Sequence, residues 1–319
     1  MKNSSIYYSV GALLYCPANK SSIAKAIIAE EFGNRFSLAL CLEDTISDGH
    51  VSEAEELMVQ SLSEICLAHK TQDFYLPKIF VRVRCPEQIT RLTALLGENV
   101  EVLSGYIAPK FCLDNADDYI SAIKQANRTS GNTLYLMPIF ESPTIIHLQN
   151  RYHILYELKA KLDTIEELVL NIRVGGNDLC HMFGLRRHIN ESIHAMAPID
   201  NIFSDIITVF GMDYVVSGPV WEYYNGTGWD DGLRNEFSQD LLCGFIGKTV
   251  IHPKQIEIIN EALRVPASDL EDAKSILDWD NQSDKLVSGS TSKERMNEYK
   301  THYNWALKTL FIAECYGTK

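Results

Sequence analysis

Two carboxylates point to the chemistry this sequence is equipped for. Glu141 closes the apolar run TLYLMPIF, residues 133–140, and is followed by Ser142 and Pro143. Asp178 follows a second apolar run, residues 168–174, through Gly175, Gly176 and Asn177. Apolar runs without alternation read as strands buried on both faces, as in a parallel sheet. Pro143 ends the first of them. About one strand–helix repeat separates Glu141 from Asp178, and α/β barrels place their chemistry at the C-terminal ends of such strands. A single carboxylate at a loop start is more often a solvated charge. A pair at matching ends of neighbouring strands can hold one hard divalent cation, and two carboxylates completed by water suit Mg2+. No two histidines have metal-ligand spacing, and Cys180 and His181, adjacent on a helix start, point apart, which argues against zinc.

The cations come next. Residues 78–83 read as a strand that delivers Arg82 and Arg84 on one face and Val81 and Val83 on the other. A guanidinium offers a planar fork to a carboxylate, so Arg82 is the anion-binding candidate, with Arg84 sharing the task or pairing with Glu43 or Asp44. Glu43 and Asp44 stand at the end of the strand at 36–42. They either anchor waters on the metal or hold the arginines. Lys110, after Pro109 at another strand end, either neutralises the site's carboxylates or lays its stem along the surface and reaches solvent. His252, beside Pro253, reads as structural.

These residues need a frame, and the chain supplies a strand–helix rhythm. Strand candidates at 10–16, 36–42, 78–83, 102–108, 133–140, 168–174, 213–216 and 248–251 nearly all end in polar or charged residues. Eight such units before residue 265 argue for a (β/α)8 TIM barrel over residues 1–265. An open doubly wound sheet is the main competitor, but no G-x-G-x-x-G follows the first strand. From Pro266 the composition shifts, so 266–319 reads as a second part. Residues 266–292, rich in Asp and Ser, read as a linker or lid, and 293–313 as a terminal helix carrying Trp305, Leu307, Leu310 and Phe311.

Composition sets outer bounds. With 319 residues, 46% hydrophobic and 22% charged, the chain has the balance of a globular protein with a large core. A formal net charge of −13 and the lack of a basic stripe make nucleic acid a poor partner. The eight cysteines form no C-x-x-C pair, and several sit in apolar runs, which suits a reducing cytoplasm. No apolar run approaches the roughly 20 residues a membrane span needs, and no signal peptide is visible.

Taken in order, LLYCPANK, LALCLEDTI, VRVR, IAPK, IFESP, GGNDL and GKTVIHPKQIEIINEA resemble the citrate lyase beta subunit and HpcH/HpaI aldolase family over about residues 9–265. The resemblance implies a TIM barrel with Mg2+ on Glu141 and Asp178. It implies that Arg82 binds the carboxylate of an oxo-acid, and that Glu43 and Asp44 stand behind the metal. Departures from the family pattern are Ala18 for Gly, Arg84 for Asn, and a bulky loop, VWEYYNGTGWDDGLR, at the end of the barrel where coenzyme A members bind their thioester. Family members also carry a C-terminal acid that reaches a neighbouring subunit's site; Glu298 of Met296-Asn297-Glu298 takes that place. The expectation is therefore a divergent Mg2+-dependent carbon–carbon lyase working by retro-aldol or retro-Claisen chemistry on a small hydroxy acid or its coenzyme A thioester. The alternatives are a class II aldolase on free acids and a partner-dependent or non-catalytic subunit. A homo-oligomer is expected, with the terminal helix carried away from its own barrel and Glu298 acting as acid or base in trans.

Overall fold

Apolar runs rich in branched residues become the strands, and each is followed by a chain reversal that feeds a helix. The computed structural model describes residues 2–279 and 285–319. Strands β1 (Ala12–Pro17), β2 (Phe36–Cys41), β3 (Lys78–Arg82), β4 (Leu103–Ala108), β5 (Tyr135–Phe140), β6 (Ile172–Val174), β7 (Val216–Ser217) and β8 (Lys248–Val250) form one parallel sheet. β1 pairs with β2 on one side and β8 on the other. A bridge between Gly218 and Lys248 joins β7 to β8 and closes the ring. Helices occupy the connections outside it, so the chain is the (β/α)8 barrel that the strand–helix rhythm predicts.

Alternation along each strand sorts the core into two layers. On β5, Met137 and Ile139 point inward to join Leu13, Phe80 and Ile107 in an apolar floor. Leu136 and Phe140 point outward into the larger core beneath the helices. The floor fills the lower barrel, as side-chain layers do in this fold, and leaves the C-terminal end open for polar groups.

The C-terminal part differs from the expectation. Residues 266–292 hold more than a linker: Ala267–Leu277 is a helix, and β9 (Val287–Gly289) pairs antiparallel with β10 (Met296–Glu298). The part of the linker at 280–284 lies outside the described residues. The terminal helix runs over Tyr299–Tyr316, later than expected, because Glu298 is still extended in β10. Nor does the helix leave its own barrel. Phe311 stacks on Tyr8, and Tyr316 donates its hydroxyl to the Tyr8 carbonyl at 2.8 Å. The tyrosine ring packs so closely on Gly11 that any side chain there would meet its hydroxyl at 2.7 Å. Ala306 and Trp305 close a small apolar cluster with Ala273 and Ile276, which gives the helix's apolar face a partner within the chain. Among the described residues no helix is long and apolar enough to cross a membrane.

Candidate functional site

β5 ends at Phe140, and the next residue, Glu141, is buried with 4% of its surface exposed. Its Oε1 accepts the Lys110 backbone N–H at 3.0 Å and Arg82 Nη2 at 3.3 Å. Lys110 reaches it from a left-handed turn, φ 48°, that few non-glycine residues adopt. On its other side Glu141 lies against Gly175, where a Cβ would overlap Oε2, so the first glycine of GGNDL is required by close approach. The second, Gly176, is pressed by Ile193 and Pro219, each 2.7 Å from where its Cβ would stand. This tight turn starts the helix Gly176–Phe183 and puts Asp178 in its first turn, where the helix dipole favours a carboxylate.

Arg82, the last residue of β3, is the hub. Its Nη2 meets Glu43 at 2.6 Å as well as Glu141, and its Nη1 meets Asp44 at 2.8 Å. Its guanidinium carbon stands 5.8 Å from the centre of the Tyr15 ring. Its Nε is buried without a partner among the described residues. Lys110 adds a second cation, with Nζ 2.5 Å from Glu43. Glu43 and Asp44 therefore hold Arg82 and Lys110, with Arg84 outside the group. A cavity of about 210 Å3 opens above the floor, with Tyr15, Asp44, Arg82, Glu141, Arg173 and Asp178 in its wall and Thr249 and Ile251 on the β8 side.

Arg84 does not join them. β3 ends at Arg82, so the strand's alternation stops before it. Arg84 donates to the Leu42 and Ile46 carbonyls and pairs with Asp48, not with Glu43 or Asp44 as expected. It braces the loop after β2, and the expectation that it shares anion binding with Arg82 gives way to this outward position. Glu298 is not in the cavity wall either; it accepts from Thr301 at 3.0 Å. His252 caps the turn after β8, accepting the Lys254 N–H at 3.2 Å, with Tyr224 stacked on its ring. Of the loop aromatics, Trp221 is fully buried and donates to the Trp229 carbonyl, so it is packing rather than ligand surface.

Charge around Glu141 is tuned. Burial pushes its carboxyl up from 4.5 to about 8, the Arg82 guanidinium opposes this, and the Asp178 charge adds to it. Burial also raises Glu43 against Arg82 and Lys110. For Asp44 burial loses to Arg82, and its carboxyl is held low. Glu141, raised by burial and by the Asp178 charge, and Asp178 in the same cavity wall form a hard oxygen donor set. That set fits a divalent cation such as Mg2+. His194, Asp200 and Cys243 also bring ligand atoms within 4.8 Å of one another, but none lines the cavity, and the imidazole is already bridged between Asp200 and Asp240.

With this geometry in view, the sequence matches one family, C–C bond lyase of the TIM-barrel fold, over residues 4–318. The chain belongs to that family. No curated protein matches it. Among solved structures, this lyase is similar to a citrate lyase of Burkholderia xenovorans, with a TM-score of 0.72 and 13% identity over 97% of this chain and 93% of that one. It is also similar to the CitE protein of Mycobacterium tuberculosis in complex with magnesium, acetoacetate and coenzyme A, with a TM-score of 0.61 and 16% identity over 97% and 99%. A third is the citrate lyase beta subunit of the same organism with oxaloacetate and magnesium, with a TM-score of 0.53 and 16% identity over 81% and 98%. At such identities these likenesses carry the barrel fold, while lyase membership rests on the family match.

Polar wall residues that escaped the sequence reading include Tyr15, Arg173 and Thr249. The signal for Arg173 was present. It is a charge inside the apolar run 168–174, two residues from Asn171 and therefore on the same, inward face of the strand.

Proposed function

We propose that this lyase is Mg2+-dependent and cleaves a small hydroxy acid, free or as its coenzyme A thioester, by retro-aldol or retro-Claisen chemistry. The observation that carries this is the placement of Glu141, Asp178 and Arg82 in one cavity at the C-terminal end of the barrel. Glu141 and Asp178 would hold the ion. When bound, Mg2+ supplies a Lewis acid for the oxygens of the oxo-acid half. Arg82 stays cationic: burial works against its charge, but Tyr15, Glu141 and Glu43 outweigh it. Glu43 and Asp44 fix its fork and so orient the group that meets the substrate carboxylate. Asp44 lines the cavity, and the Arg82 guanidinium that holds its carboxyl low keeps it a partner of that fork. Glu298 of a second copy is proposed as the acid or base, since it does not line its own cavity.

Complexes of similar proteins with magnesium and with oxaloacetate, or with acetoacetate and coenzyme A, support the choice of probes. Calorimetric titration of Mg2+ into the parent, Glu141→Gln and Asp178→Asn tests the metal claim, and unchanged affinity in both variants would remove it. Oxaloacetate and pyruvate, titrated with Mg2+ present, then test the acid. A coenzyme A titration separates a thioester lyase from an aldolase of free acids.

A further inference from the structure

Away from the lyase cavity, three side chains of different donor type converge. His194 lies in the short turn Ile193–Ala195, Asp200 in the first turn of the helix Ala197–Phe210, and Cys243 at the end of the helix Trp229–Cys243. Their ligand atoms all lie within 4.8 Å of one another. The turn is fixed at its start, where the Ser192 hydroxyl accepts the His194 backbone N–H. The imidazole is buried, with the ring centres of Phe203 and Phe245 each 6.0 Å from its own. Cys243, by contrast, is exposed and in no disulfide.

The far side of the imidazole separates this group from a surface salt bridge. Nε2 meets Asp240 Oδ1 at 2.7 Å; Asp240 is fully buried, and its other oxygen accepts from Lys248 at 2.6 Å. Gly218 makes room for that carboxylate, since a Cβ there would stand 2.6 Å from Oδ2. An acid locked on one ring nitrogen fixes the tautomer and aims the other, as the outer partners of metal-binding histidines do. Here Nδ1 is aimed at Asp200, 3.0 Å away. The deeper charges are already matched, with Lys248 and Arg187 against Asp240 and Glu236. Asp200 and a Cys243 thiolate would add two negative charges on the solvent side, which one dication neutralises.

We propose that His194, Asp200 and Cys243 form a second metal site, separate from Glu141 and Asp178, that takes a zinc-class dication with water in the fourth position. The donors select the ion: imidazole and thiolate suit Zn2+ or Co2+, whereas Mg2+ takes oxygen. Tetrahedral N and O ligands at about 2.0–2.1 Å from zinc stand about 3.3 Å apart, so Nδ1 and the Asp200 oxygen have only to open slightly. Cys243 closes in by rotation of an exposed side chain. In the metal-free chain, burial works against charge on the imidazole, but Asp240 and Asp200 outweigh it, which favours a proton on Nδ1 as well as Nε2. Burial and the Asp200 and Asp240 charges raise the thiol. Binding therefore displaces the Nδ1 and Sγ protons to solvent and leaves the Nε2 proton on its bond to Asp240. The bound ion would tie the turn at His194 to the helices that carry Asp200 and Cys243.

The test is titration of the full chain, reduced and freed of metal with EDTA, with Co2+ in saturating Mg2+. One equivalent should bind and give a thiolate-to-cobalt charge-transfer band, which an all-oxygen site cannot produce. Zn2+ should displace the Co2+, and further Mg2+ should not. Cys243→Ser should abolish the band. Asp200→Asn and His194→Gln should each weaken Zn2+ binding, measured by competition, by more than the roughly tenfold that losing an outer partner costs. Melting curves check each fold, and the Cys243 and Asp200 variants, altered near the surface, report on the site even if His194→Gln does not fold. Absence of the band in the parent, a band that survives Cys243→Ser, or Zn2+ affinity unchanged by Asp200→Asn overturns the site.

Discussion

Replacing Glu141 by Gln is expected to flatten the response of the metal-free chain to alkali. In the parent, burial pushes the carboxyl up from 4.5 to about 8. Between those values the folded chain holds a proton that the unfolded chain has released, so the free energy of unfolding falls as the pH climbs. A tenfold change in proton affinity is worth about 1.4 kcal/mol, so the gap caps the loss at on the order of 5 kcal/mol. Gln keeps an acceptor oxygen for Arg82 and for the Lys110 N–H but cannot ionise. Urea unfolding in EDTA from about pH 5 to about pH 9 reads the difference between the two chains directly. The parent should lose a few kcal/mol relative to Glu141→Gln toward the alkaline end, and saturating Mg2+ should remove most of that loss because a bound dication favours the carboxylate. Parallel curves for the two chains would refute the account of Glu141 as a carboxyl raised by burial.

Gly175→Ala should cost about 1–3 kcal/mol by overpacking against Glu141, and calorimetry should show weaker Mg2+ binding in the same variant. Arg82→Lys keeps the charge but loses the fork, which should weaken oxaloacetate binding by about 1–3 kcal/mol; because Glu43, Asp44 and Glu141 all close on that fork, a comparable loss in urea unfolding should accompany it. If Glu298 works in trans, Arg82→Ala and Glu298→Gln chains should each be inactive and recover part of the activity when co-expressed; a stable monomer by sedimentation, or no recovery, refutes it.

The barrel was legible because its strands are uninterrupted apolar runs with polar ends, a signal local enough to read without contacts. Glu141 and Asp178 were legible for the same reason, each marking a strand end beside a breaker or a glycine pair. Arg84 was misplaced because alternation was carried two residues past Arg82, and nothing in VRVR says where the strand stops. The terminal helix was misplaced because its apolar face has no visible owner in the sequence; Tyr8, Ala273 and Ile276, which cover it, are far away along the chain. Arg173 and Thr249 were missed because their meaning depends on the ring closing. Only then do β6 and β8 face one another.

The wall is not uniform. Strands β1 to β5 run for five or six residues, whereas β6, β7 and β8 have three, two and three. Fewer ladder bonds mean that amides on this side exchange with solvent through smaller, more frequent openings than those of β2 to β4. Yet this is the side that presents Arg173, the Gly175–Gly176 turn, Asp178 and Thr249 to the cavity. The rigid half of the barrel thus carries Arg82 and Glu141 ready-set, and the looser half is completed by whatever occupies the cavity. Occupancy should register as slowed deuterium uptake across β6 to β8, with β2 to β4, already slow, scarcely changed.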